Sequence, residues 1–136
     1  MSFRNGRLCT MLVFPYIVCR MKVSLTSLFH MLSDLTRLRC VVLMAREGEL
    51  CVCELTHALK QIQPKISRHL ALLRETGIVS TRRQGQWIFY RIHPDLPPWG
   101  RQIIEAAVEG STDQAPFRQD RERLAKMSGR PLRCCD

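Results

Sequence analysis

The sequence lacks the loops and residue sets on which most enzymes depend. None of its 7 glycines belongs to a glycine-rich loop of the kind that binds phosphate groups. Two pairs resemble catalytic dyads, namely Ser67 with His69 and Cys53 with His57. Neither pair has a third group to orient it, as nucleophilic catalysis requires. We therefore predict that the protein is not an enzyme.

Long apolar runs are also missing. The apolar stretch at residues 8–19 is interrupted by Pro15, and it is too short to cross a bilayer. No small-residue cleavage site of the A-x-A type follows it, which argues against an export signal. We predict that residues 1–20 are an N-terminal arm or a mis-called start, with Met21 as the initiator, and that the protein has no membrane partner.

The 7 cysteines therefore occur in a chain without an export signal. This combination indicates a reducing compartment, where thiols bind metals or react rather than forming structural disulfides. We predict a cytoplasmic location. Cys51 and Cys53 are separated by one residue near the predicted start of a helix, and they are the first candidates for a metal site.

Acidic residues are scarce where basic residues are concentrated. The formal net charge is +9, and residues 60–91 contain a single acid, Glu75. The seven basic residues of that segment are Lys60, Lys65, Arg68, Arg74, Arg82, Arg83 and Arg91. Such concentrated basicity predicts a polyanionic partner, either nucleic acid or an acidic membrane surface.

Apolar residues at helical spacing predict the first two helices. The first runs from Ser24 to about Met31. Ser33-Asp34 offers an N-cap for the second, which ends at Gly48. The apolar stripe of the first helix consists of Leu25, Leu28, Phe29 and Leu32. The stripe of the second consists of Leu35, Leu38, Val42 and Ala45.

The next two helices and a hairpin form a recognisable unit. A short helix begins at about Glu49 or Cys51, with an apolar face of Val52, Leu55 and Leu59. A basic helix then starts near Pro64 and stops at Gly77, with an inner stripe of Ile66, Leu70 and Leu73. The stretch "IVSTRRQGQWIFYRI" predicts a hairpin with its turn at Gln84-Gly85. Together they predict a winged helix-turn-helix, mainly α with a β-hairpin wing.

The basic helix and the wing carry the candidate DNA contacts. Side chains opposite the inner stripe point outward, where a recognition helix meets base edges in the major groove. Arginines at or near the tip of the wing would contact phosphates. His69 lies close to the inner stripe, so we expect it to be structural. The predicted DNA-binding residues are Gln63, Lys65, Ser67, Arg68, Arg82 and Arg83.

A fifth helix begins at Pro97-Pro98, and a polar tail follows it. Ile103, Ile104, Ala107 and Val108 are the apolar residues of this helix. We predict a DNA-binding and dimerisation domain at residues 21–110, and a polar C-terminal tail at 111–136 with the vicinal pair Cys134 and Cys135.

The segments "LSDLTRLRCVVL", "GELCVCEL", "QPKISRHLALLRETGIV" and "RRQGQWIFYRI" resemble the ArsR/SmtB family of metal-responsive repressors, and its arsenic-sensing branch most closely. The resemblance runs from about residue 25 to 109. It implies a homodimer built by the first and last helices, which binds a palindromic operator and is released when an inducer binds the cysteines.

The resemblance implies As(III) or Sb(III) as the inducer, because such soft centres prefer thiolate ligands. It also implies that no cofactor is permanently bound. The arsenic-sensing relatives often have a third cysteine where this chain has Thr56. Residues i and i+2 of a helix stand about 200° apart, so the sulfurs of Cys51 and Cys53 should be too distant to share one atom unless the first turn distorts. The candidates for a third ligand are Cys134, Cys135, Cys40, Cys9 and Cys19.

Two alternatives keep the same fold. In the first, Cd(II), Pb(II) or Zn(II) is bound by Cys51 and Cys53 with His57, or with Cys9 and Cys19 of the arm. In the second, the thiols sense oxidants by forming a disulfide, which adjacent C-x-C thiols can do only with strain.

Overall fold

The computed structural model describes residues 23–131 of the chain. In chain order the elements are α1 (Leu25–Leu32), α2 (Leu35–Glu47), β1 (Leu50–Cys51), α3 (Val52–Leu59), α4 (Gln63–Glu75), β2 (Val79–Gln84), β3 (Trp87–Ile92), α5 (Pro98–Gly110) and α6 (Ala115–Ala125). The fold is mainly α with one small antiparallel sheet, as predicted. No helix within residues 23–131 is both long and apolar enough to cross a membrane.

The predicted caps position the first two helices. The Oγ of Ser24 accepts a hydrogen bond from the backbone of Ser27, and the Ser27 Oγ accepts one from the backbone of Ser24, so the start of α1 is doubly capped. Asp34 caps α2 by accepting from the backbone N–H of Arg37 at 3.0 Å. Gly48 ends α2 at a φ of 93°, in the region that favours glycine.

The predicted inner stripe of α2 is wrong for three of its four members. Leu35 and Ala45 are exposed, Leu38 is half-buried, and Val42 alone is buried. The helix lies at the centre of the fold and is contacted by α1, α4, α5, α6 and the sheet. A helix covered on several sides has no single apolar stripe. Its buried residues are Thr36, Cys40, Val41, Val42, Leu43 and Met44.

The helix-turn-helix consists of α3 and α4. A left-handed residue, Lys60 with a φ of 54°, turns the chain after α3. The predicted stripe of α4 is confirmed, because Ile66, Leu70 and Leu73 are all buried. In α3, Leu55 and Leu59 are buried but Val52 is only half-buried.

The sheet has the order β1-β3-β2, with both pairings antiparallel. The hairpin of β2 and β3 is the predicted wing, and it turns at Gly85 with a φ of 60°. The two-residue strand β1 was not expected. It pairs Leu50 with Tyr90 and Cys51 with Phe89, so the wing is joined directly to the start of α3.

The segment predicted as a polar tail contains a packed helix. In α6, Phe117, Asp120 and Leu124 are buried, and the helix contacts both α2 and α3. Arg39 of α2 binds Asp120 with two hydrogen bonds, of 2.6 and 2.9 Å. The sequence of α6 is strongly polar, and its packing depends on this ion pair as well as on two apolar side chains. Cys134 and Cys135 lie outside the described residues.

Candidate metal centre and nucleic-acid interface

The sulfurs of Cys51 and Cys53 lie 2.6 Å apart. The prediction that they are too distant to share one atom is wrong, because it placed both residues inside the helix. Cys51 is the N-cap of α3, and its extended backbone, with a φ of −89° and a ψ of 169°, belongs to β1. The change from strand to helix between the two residues brings both side chains to the same side.

The two thiols differ in exposure. Cys51 is buried, with 2% of its surface exposed, whereas Cys53 is exposed. Burial raises the pKa of Cys51 to about 12, and the hydrogen bond with Cys53 acts in the same direction. The Cys51 sulfur therefore carries a proton near neutral pH, and a thiophilic ligand must displace it on binding.

A buried carboxylate holds the backbone of Cys51. Glu54 is fully buried, and its Oε1 accepts the backbone N–H of Cys51 at 2.9 Å. Its Oε2 accepts the Nε of Arg130 at 2.5 Å, and Arg130 also lies 3.5 Å from Glu47. The start of α3 is thus tied to residues that follow α6.

The other end of α3 is held by arginines of α6 and α2. Arg123 of α6 donates to the carbonyl of Ala58 at 2.6 Å, and Arg39 donates to that of Leu59 at 3.1 Å. Both guanidinium groups bind Asp120. Cations are favourable at the C-terminal carbonyls of a helix, so α3 is fixed at both ends.

A pocket of about 260 Å³ opens beside the two thiols. Its walls come from the start of α3, the first residue of α4 and the tip of the wing. The lining residues are Cys51, Val52, Cys53, Gln63, Gln86, Trp87 and Ile88. The candidate metal centre therefore lies where the three elements of the winged helix-turn-helix meet.

Within residues 23–131, neither Cys40 nor His57 joins the pair to form a metal site. Cys40 is buried in the hydrophobic core, where burial raises its pKa to about 12, so it is a core thiol and not a ligand beside the pair. Residues 23–131 contain no group of three or more His, Cys, Asp or Glu side chains that could hold a metal ion, so His57 does not complete a site with the two cysteines. Cys9 and Cys19 lie outside the described residues.

The predicted reading face of α4 is accessible. Gln63, Ser67 and Arg68 are exposed, and Lys65 is half-buried. His69 is buried, and its Nδ1 lies 3.5 Å from a nitrogen of Arg37. Burial lowers the pKa of His69, which fits the expected structural role.

The two wing arginines differ. Arg83 is exposed near the turn, and its Nε donates to the carbonyl of Gly85. Arg82 departs from the prediction, because its guanidinium binds both carboxylate oxygens of Glu49, at 2.7 and 2.9 Å, and lies over the Phe89 ring at 5.0 Å. The side chain of Arg82 therefore points toward Glu49, the residue before β1, and does not extend from the tip of the wing.

Sequence reasoning missed Glu54, Arg130 and Trp87. Glu54 stands three residues after the N-cap, which is the position of the acidic member of a capping box, so this signal was present. Arg130 and Trp87 reach the site only through the tertiary fold.

Comparison with known proteins is consistent with this arrangement. A family model described as bacterial regulatory protein, arsR family, matches residues 34–81, from the N-cap of α2 into β2. The chain is 54% identical over 103 residues to the arsenic resistance transcriptional regulator ArsR1 of Pseudomonas putida, covering 76% of this chain and 79% of that protein. The chain belongs to the arsR family of bacterial regulatory proteins.

Other arsR-family proteins share parts of the chain. The arsenical resistance operon repressor of Escherichia coli is 56% identical over 80 residues, which is 59% of this chain and 68% of that protein. The structure of the antimony-specific transcriptional repressor AntR is 32% identical with a TM-score of 0.53, covering 65% of this chain and 80% of that one. Family membership confirms the winged helix-turn-helix and the prediction that the protein is a transcriptional regulator and not an enzyme.

Proposed function

We propose that the protein is a transcriptional repressor that binds operator DNA as a homodimer and releases it when As(III) or Sb(III) binds Cys51 and Cys53. One observation carries the proposal, namely that two thiols meet at 2.6 Å at the head of the helix-turn-helix. The names of the relatives, which refer to arsenic, arsenical and antimony regulation, support this choice of inducer.

Operator recognition would use α4 and the tip of the wing. Exposed polar side chains of α4 are suited to base edges in the major groove, and Arg83 is suited to a phosphate. The residues of α4 that we propose to contact the operator are Gln63, Lys65, Ser67 and Arg68. The proposed DNA-binding and dimerisation domain at residues 21–110 would be extended to include α6, because α6 packs on α2 and α3.

The dimer would be built by α1 and α5. Leu25 and Phe29, one helical turn apart on α1, are 55% and 52% exposed, and Trp99 of α5 is 37% exposed. Large apolar side chains in such positions favour contact with a second subunit. A two-fold symmetric dimer would present two recognition helices to the two halves of a palindromic operator.

Release would begin between the two sulfurs. An atom that binds both thiols would bridge two residues of different elements, β1 and α3, and change their relative position. Their relative movement would shift the wing against the helix-turn-helix, so that the two recognition helices no longer match the operator. A tenfold loss of operator affinity requires a coupling free energy of about 1.4 kcal/mol.

The third position on the metalloid would be filled by hydroxide, by an external thiol or by a cysteine outside the described residues. Cys40 is unsuited to this role, because it is buried in the core.

The test is fluorescence anisotropy of the reduced protein on labelled operator DNA, titrated with arsenite, antimonite, cadmium and zinc. We expect arsenite and antimonite to release the DNA from the native protein. Cys51→Ser and Cys53→Ser should bind DNA normally and resist release, whereas Cys40→Ala should still respond. Release by cadmium or zinc alone would reject the metalloid assignment, and unaltered release from both serine variants would reject the site.

A further inference from the structure

Ile62 is the most exposed of the large apolar side chains in residues 23–131, with 70% of its surface accessible. It is the N-cap of α4, and its side chain makes no capping hydrogen bond. Isoleucine is among the least favourable residues at an N-cap, where a side-chain oxygen normally accepts a backbone N–H. Neither burial nor helix capping therefore accounts for an isoleucine at this position.

The backbone of Ile62 holds the side chain in a defined place. Its carbonyl accepts the backbone N–H groups of Lys65 and Ile66, both at 3.2 Å, so the residue is fixed to the first turn of α4. Gln63 follows directly and is also exposed. The N-terminal residues of a recognition helix are the ones that contact base edges in the major groove. Ile62 thus lies at the end of α4 that the proposed function places in the groove.

The chemistry of the Ile62 side chain limits what it can contact there. It has no hydrogen-bond donor or acceptor, so it cannot pair with the polar groups that the bases present in the major groove. Thymine also presents an apolar group at that edge, its C5 methyl. Contact between two apolar groups removes both from water and is favourable.

We propose that Ile62 is a specificity-determining residue, which recognises a thymine in each half of the operator by packing against the C5 methyl group. This inference rests on the proposed function, because it assigns a base preference to the helix that binds operator DNA. Gln63 reads a neighbouring base pair through hydrogen bonds, and adenine matches its amide best. The two adjacent side chains then select A·T pairs by different means, one apolar and one polar.

An apolar base contact differs from a phosphate contact in its dependence on salt. Neutralising a phosphate releases a counterion, whereas packing on a methyl group releases none. Substitution of Ile62 should therefore change the sequence preference at one base pair of each half-site. The salt slope of operator binding should stay at its native value.

The experiment uses the reduced, inducer-free protein and an operator that it selects from a pool of random duplexes. Each thymidine of either strand is replaced by deoxyuridine, together with its symmetry-related copy, which removes only the methyl group and keeps base pairing. Dissociation constants are measured by fluorescence anisotropy. We expect one pair of positions at which the native protein loses affinity about fifteenfold, because burial of one methyl group contributes about fourfold in each half-site.

Ile62→Ala and Ile62→Ser test the contact directly. Leu72→Ala, which shortens an exposed apolar side chain near the other end of α4, is the matched control. Both Ile62 variants should bind the thymidine and deoxyuridine operators with nearly equal affinity, whereas the control keeps the native difference. Serine is a better N-cap than isoleucine, so urea unfolding should show no loss of stability in Ile62→Ser.

A deoxyuridine effect of native size in both Ile62 variants would overturn the inference, as would a selected operator without any thymine whose methyl group matters. Equal weakening of the variants on both operators would assign Ile62 to the sugar–phosphate backbone and overturn it as well. In each of these cases operator binding and its release by arsenite still stand. Failure of the native protein to select any DNA sequence would instead overturn the proposed function.

Discussion

Cys51 lies directly opposite Phe89 in the pairing of β1 with β3. Phe89 in turn pairs with Arg82 of β2, whose guanidinium returns to Glu49, two residues before Cys51. Two backbone pairings and one ion pair thus connect Cys51 to the wing. In the proposed mechanism, movement of Cys51 would therefore act on the wing directly, without passing through α4.

The two wing arginines should respond differently to substitution. Arg83→Ala should weaken operator binding and reduce the salt slope of log K by about one for each subunit, because a phosphate contact is lost. Arg82→Ala should leave the salt slope nearly unchanged and alter inducer-driven release, because it breaks the Glu49 pair. Anisotropy titrations over a range of KCl concentrations measure both quantities. Equal losses of slope in the two variants would show that Arg82 contacts phosphate after all.

Arg130 should position the sensor pair through Glu54. Arg130→Ala removes a cation from a fully buried carboxylate, which we expect to cost about 1–3 kcal/mol of unfolding free energy. The loosened start of α3 should also raise the arsenite concentration needed for half-release several-fold. Urea unfolding and operator anisotropy provide the two measurements.

Arg118→Ala is the matched control for Arg130, because Arg118 lies 3.8 Å from Glu122 in an exposed pair on α6. Exposed pairs contribute little, so this variant should match the native protein in both measurements. Arg130→Lys should recover part of the stability but less of the inducer sensitivity, since a lysine cannot reproduce the guanidinium contacts with both Glu54 and Glu47. Native inducer sensitivity in Arg130→Ala would contradict the positioning role.

The recognition unit could be predicted because its signals are local. Each signal acts within a few residues, and the structure confirms each of them. They are the helix start at Pro64, the buried stripe of Ile66, Leu70 and Leu73, and the turn at Gly85. The choice of Cys51 and Cys53 as candidates was equally local.

The geometry of the site could not be predicted in the same way. Cys51 adopts an extended backbone because β1 pairs with β3, a contact between segments far apart in the sequence. The packing of α6 depends on Arg39 binding Asp120, 81 residues later. Periodicity reports which face of an element is apolar, but it does not report which distant element covers that face.

His69 should make the stability depend on pH. Burial lowers its pKa in the folded state, whereas in the unfolded chain the pKa is near 6.5. Below about pH 6.5 the unfolded state therefore binds more protons than the folded state, and the unfolding free energy falls as the pH decreases. Urea unfolding at pH 7.5 and pH 5.5 should show a smaller decrease for His69→Gln than for the native protein. An equal decrease in both would assign the effect to other groups.

Because the chain has two tryptophans, intrinsic fluorescence can report on the pocket beside Cys51 and Cys53 without a label. Trp87 lines the pocket beside Cys51 and Cys53, whereas Trp99 lies on α5. We expect arsenite to change the emission of Trp99→Phe, in which Trp87 remains, because binding moves the wing residue next to the thiols. Trp87→Phe should show no such change.

Combining Trp99→Phe with Cys53→Ser separates binding at the pair from nonspecific quenching. The signal should then disappear, since one thiol no longer holds the metalloid beside Trp87. A response that survives in this double variant would place the metalloid elsewhere on the chain. A response in Trp87→Phe alone would move the ligand-induced change to α5, and the path from Cys51 through Phe89 to the wing would lose its support.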